Sequence, residues 1–99
     1  MSKNIPRLAE IGEKLIIKML EGSPPILDQI IDLCEIESRK AYPDGEHLDQ
    51  LIQNMAKVIQ GYQEHRKYAV EGGLDITRYD EIFKKSLAKS NKFVPQIYM

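Results

Sequence analysis

A disulfide cannot form within this chain, because only one of its 99 residues, Cys34, is a cysteine. No covalent framework therefore takes the place of a hydrophobic core. Long apolar runs are missing as well. The longest is a triplet such as Leu15–Ile16–Ile17, far short of the ~20 residues that cross a bilayer as a helix. No segment alternates apolar and polar residues for more than a few positions, which argues against strands. Repeats, low-complexity tracts and glycine-rich phosphate loops are absent, as are paired metal spacings such as CxxC or HxxxH. The opening stretch "MSKNIPRLAEIGEK" meets a charge every few positions and offers no apolar leader core. A net charge of −1 gives no bulk attraction to nucleic acid or anionic lipid. The expectation is a cytoplasmic, single-domain protein with no membrane segment, cofactor or metal.

What remains is ordinary globular material, 42% hydrophobic and 29% charged. Its charge is unevenly spread. Residues 23–49 hold seven acidic and two basic groups, while residues 74–99 hold five basic and three acidic ones. An acidic element thus faces a mildly basic C-terminal third.

Four segments read as helices. The first begins near Pro6 and carries Leu8, Ile11, Leu15 and Met19 on one face, widened by Ile16 and Leu20, until Gly22 stops it. "GSPP" then supplies a glycine C-cap, Ser23 as N-cap and two prolines at first-turn positions, so the spacing predicts a tight helical hairpin. The second helix carries Ile26, Leu27, Ile30, Ile31, Leu33, Cys34 and Ile36 as a broad apolar surface and ends at "AYPDG". Asp44 can cap a third helix over 45–71, where Leu48, Leu51, Met55, Val58, Tyr62, His65 and Ala69 make a heptad-like seam flanked by Ile52 and Ile59. At 1.5 Å per residue this element spans roughly 40 Å, more than the other helices can cover, so it should protrude or bend near Gly61. "EGG" at 71–73 ends it. Thr77 with Asp80 resembles a capping box, and Tyr79, Ile82, Phe83 and Leu87 form the buried face of a fourth helix reaching about Lys89. The reading is an all-α, up-and-down four-helix bundle with a long third helix, a domain over 1–92 and an apolar tail over 93–99.

No residue set carries recognisable chemistry. His65 continues the seam and reads as structural. The histidine phosphotransfer pattern places lysine three and glycine four residues after its histidine, whereas Tyr68 and Ala69 stand there. Cys34 lies on the second helix and His47 and His65 stand eighteen residues apart on the third, with no paired ligand spacing, and Glu35 and Glu37 point apart on a helix. Cys34 reads as a buried thiol without a base. Lys84, Lys85, Lys89 and Lys92 form a charge run that suits a solvated helix end, or an electrostatic footprint for nucleic acid.

The functional expectation is a small non-enzymatic interaction module of adaptor, inhibitor, immunity or chaperone type. Its contact surface is placed at the end of the third helix and the tail: Tyr62, Arg66, Lys67, Tyr68, Phe93, Ile97 and Tyr98. The partner is another protein or a second copy of the chain. If the tail packs inward, the acidic face of Asp28, Asp32 and Glu35 takes its place. The alternatives are a nucleic-acid-binding regulator using the basic fourth helix and a phosphotransfer-like module centred on His65.

Overall fold

The computed structural model describes residues 12–94, and these form three α-helices with no strand among them: α1 Glu13–Ser38, α2 Gly45–Glu71 and α3 Thr77–Ser90. The fold is all-α, as expected, but it is a three-helix fold and not a four-helix bundle. The expected hairpin at "GSPP" does not exist. One helix runs straight through it, with Pro24 and Pro25 inside.

Two observations explain the continuity. The buried positions of α1 are Ile16, Leu20, Pro24, Leu27, Ile31, Cys34 and Glu37, an unbroken 3.6-period stripe in which the Pro24 ring fills a core place. Gly22 does not adopt the left-handed backbone of a helix stop, since among the described residues only Gly12 and Gly73 have positive φ. Each proline removes one intrahelical hydrogen bond, at about 3 kcal/mol relative to alanine. Burial of Leu20 and Leu27, both fully enclosed, offsets this at ~1.5–3 kcal/mol apiece. Ser23 Oγ donates to the Met19 carbonyl at 2.9 Å, a back-bond within the helix rather than a cap.

The fused helix also resolves the expected mismatch of lengths. α1 has 26 residues and α2 has 27, so each can cover the other along its length. α2 starts where Asp44 predicts: its carboxylate accepts from the amides of Glu46 (3.1 Å) and His47 (3.2 Å). Its end is a Schellman turn. Leu74 N–H donates to Ala69 O and Gly73 N–H to Val70 O, with Gly73 at φ 82°. The connection from α1 to α2 is fastened by Glu37, buried despite its charge. Its carboxylate accepts from the Asp44 amide at 2.8 Å and from Lys40 at 3.0 Å. The Asp44 amide first, then the Lys40 ammonium, hold the Glu37 carboxyl below the usual carboxylate range.

α3 begins one residue differently from the expected capping box. The N-cap position is Ile76, and the carboxylate at this end is that of Asp75, not Asp80, accepting from the Thr77 amide at 3.1 Å and its hydroxyl at 2.8 Å. α3 rests mainly on α1, which itself packs most extensively on α2. No described helix is long and apolar enough to cross a membrane. The start of the first expected helix, with Leu8 and Ile11, lies outside the described residues.

Candidate functional site

The end of α2 holds most of the side chains expected to meet a partner, and several are turned inward. Tyr62 is fully buried. Its hydroxyl donates to Asp80 Oδ1 at 2.7 Å, and its ring stacks on Phe83 with centroids 3.8 Å apart and 5° between planes. Burial, and then the bond to the Asp80 carboxylate, push the Tyr62 phenol far above its ordinary pKa. Arg66 Nε donates to Asp80 Oδ2 at 2.9 Å, so both carboxylate oxygens are engaged. Asp80 is therefore a polar pin between α2 and α3, not a helix cap.

Of the remaining expected contact residues, Lys67 is exposed. Tyr68 and Phe93 are half-buried and pack against the core, and Val94 beside Phe93 is buried. Lys92 Nζ lies 5.7 Å from the Phe93 ring centroid. Ile97 and Tyr98 lie outside the described residues.

The α2 seam is shifted from the heptad reading. Its buried residues are Leu51, Met55, Ile59, Tyr62 and Ala69, with Leu48 and Val58 only partly covered. A helix of 3.6 residues per turn drifts against a 3.5-residue repeat. Ile59 thus takes the place expected for Val58, and Arg66, aimed at Asp80, the turn expected for His65. His65 sits half-buried beside the core. On α3 the same phase matters: Asp80, Phe83, Ser86, Leu87 and Ser90, following Ile76 at the N-cap, are buried, while Ile82, expected inside, is 47% exposed.

The basic run is partly spent on the acidic face of α1. Lys92 pairs with Glu35, and its hydrogen bond is the main reason the Glu35 carboxyl is held below its usual range. Lys89 stands 3.5 Å from Asp28, close enough for an ion pair but with no hydrogen bond formed by that oxygen. Lys84 and Lys85 point to solvent. Cys34 is buried in α1, where desolvation pushes its thiol up. Among the described residues no three His, Cys, Asp or Glu side chains converge as a metal site would require.

The surface that sequence reasoning missed is on α1. Leu15, Met19, Ile26, Leu33 and Ile36 are 46%, 36%, 51%, 46% and 59% exposed. They lie along one side of the helix, next to its buried stripe. Between Met19, Gly22, Ser23 and Ile26 of α1 and Val58, Gly61 and His65 of α2 runs an open, mainly apolar groove of ≈ 300 Å³, with Lys18 at its edge. Gly22 and Gly61 leave its walls bare, since a Cβ at either would meet nothing within 4 Å.

The signal was present but divided. Read as two helices, Leu15 and Met19 belong to one buried face, and Ile26, Leu33 and Ile36 to another. Joined in one phase, they make a second stripe. One helix cannot turn both inward.

Comparison with protein-family models, with curated proteins and with solved structures finds no match to this chain.

Proposed function

We propose that this chain is a non-enzymatic protein–protein interaction module of the cytoplasm, of adaptor, inhibitor, immunity or chaperone type. It engages its partner through the exposed apolar stripe of α1. The observation that carries this reading is the row Leu15, Met19, Ile26, Leu33 and Ile36, five large apolar side chains open to solvent on one helix. They extend over roughly 32 Å at 1.5 Å per residue, and a contiguous apolar patch of this kind on a small domain marks a contact site. The end of α2 is a poorer anchor, because Tyr62 and Arg66 are committed to Asp80. Lys67 remains there to orient an approaching acidic surface. The nucleic-acid reading has less support, since Lys89 and Lys92 are drawn to Asp28 and Glu35.

The test is retention of cell proteins on the immobilised full chain against an Ile26→Glu variant whose circular dichroism is unchanged. Proteins held by the wild type and lost on the variant support the reading. Identical retention by both would overturn it.

A further inference from the structure

The two long helices share a weak level. In α1 the run Gly22–Ser23–Pro24–Pro25 lies near mid-helix. Neither proline has an N–H, so the carbonyls of Leu20 and Glu21 lack the helical donor four residues on. Ser23 Oγ adds its back-bond to the Met19 carbonyl, an arrangement that bends helices. In α2 the interior holds Gly61, and only proline favours a helix less than glycine does.

The two weak points coincide in height. Gly22 stands as many residues before the end of α1 at Ser38 as Gly61 stands after the start of α2 at Gly45. In an antiparallel hairpin they are therefore level, and both line the same groove. Packing demands glycine at neither place, since a Cβ would meet nothing within 4 Å and neither residue has a positive φ. Sharp bends in long helices occur at prolines and at glycine–serine pairs. Gly22–Ser23 followed by Pro24 supplies both.

This level divides the hairpin into a near half, next to the α1–α2 connection, and a far half. α3 is fastened to both. Close to its start Asp80 is bound to Tyr62 and Arg66, which follow Gly61 in the far half. At its other end Lys89 and Lys92 meet Asp28 and Glu35, which follow Pro25 in the near half. Tyr79 and Ile82 of α3 line a cleft with Leu20 and Pro24, at the weak level itself.

We propose that the level of Gly22–Pro25 and Gly61 is a hinge, and that α3 is the strap that holds it straight. A strap works only while both ends are fastened, and these two ends differ in kind. The Asp80 end is a buried pin, whereas the Lys89 and Lys92 end is ionic and partly exposed. Salt therefore loosens the second end first and lets the two halves reorient. The groove between Met19 and Ile26 of α1 and Val58 and His65 of α2 crosses the hinge, so its width changes with the bend. The inference stands on the fold alone and goes beyond the interaction-module reading.

The experiment is measurement of backbone N–H residual dipolar couplings in the full chain, weakly aligned in an uncharged medium, with helix content followed by circular dichroism. These couplings report how the two halves are oriented relative to each other. In the wild type both halves should fit one alignment. Lys89→Glu/Lys92→Glu cuts the ionic end and Asp80→Asn the buried end. Either change should remove the common alignment while helix content holds. Lys89 and Lys92 are exposed, so that pair tests the hinge even where Asp80→Asn fails to fold. Adding Gly22→Ala, Pro25→Ala and Gly61→Ala to Lys89→Glu/Lys92→Glu strengthens both helices at the weak level and should restore a single alignment. A general loosening of the fold would not be repaired in this way.

Separate alignments already present in the wild type overturn the strap. A single alignment in Lys89→Glu/Lys92→Glu overturns the inference, and so do separate alignments that persist after the three added substitutions. None of these outcomes touches retention of cell proteins by the α1 face, so the two readings fail separately.

Discussion

Asp80 is the residue on which the α2–α3 contact turns, and its carboxylate is held by one neutral and one charged donor. Tyr62→Phe keeps the stacked ring and deletes one donor to a buried carboxylate, so it should cost about 1–3 kcal/mol in urea unfolding. Wild-type stability in that variant would show that the phenol bond contributes nothing. The same tyrosine gives the fold an alkaline limit. Its folded pKa is raised, so the unfolded chain loses this proton first. Its contribution is complete below the unfolded value of ~10 and is lost as pH rises beyond it. The Tyr62→Phe variant should therefore unfold with a shallower alkaline dependence. Asp80 was hidden in the sequence because Thr77 and Asp80 fit a cap as well as they fit a buried pin. The four-residue step from Ile76 and the three-residue step to Phe83 were the better guide. The Asp44 cap and the glycine stop after Glu71, by contrast, are local chemistry and could be read directly.

α1 shows where local signals mislead. Ser23, Pro24 and Pro25 are suited to opening a helix because the first-turn amides have no partner there, so proline loses nothing. Nothing in the tripeptide distinguishes that place from mid-helix. The distinction lies in the phase of distant residues, Ile16 and Leu20 on one side with Leu27 and Ile31 on the other, which share one stripe. Substitution of Pro25 separates the two arrangements by sign. Pro25 is exposed, so Pro25→Ala in a continuous helix restores a hydrogen bond at little packing cost. It should stabilise by up to about 3 kcal/mol, less the ~0.4–1 kcal/mol by which proline restricts the unfolded chain. A hairpin turn would instead be weakened. Thermal unfolding of this variant against wild type is the measurement.

For the whole molecule, the helical class, the length of α2 and a single core were legible from periodicity and punctuation. The number of helices and the free face were not, because both follow from the fusion of two expected helices into α1. That fusion leaves two 26- and 27-residue helices side by side, with α3, only 14 residues long, packed mainly against α1. A helix of that length is marginal by itself in water, and the Lys89–Asp28 and Lys92–Glu35 contacts that help hold it are ionic and partly exposed. Such pairs are screened over the ~8–10 Å of ordinary salt. The chain should accordingly come apart in order. Amide hydrogens of α3 should exchange with deuterium before those of α1 and α2, and added salt should widen the gap. Uniform exchange across all three helices would mean that the Asp80 pin and the Tyr62–Phe83 stack make α3 inseparable from the rest. Otherwise the long hairpin is a scaffold that outlives its third helix, and each detachment uncovers Tyr62 and Phe83 together while α1 and α2 stay closed.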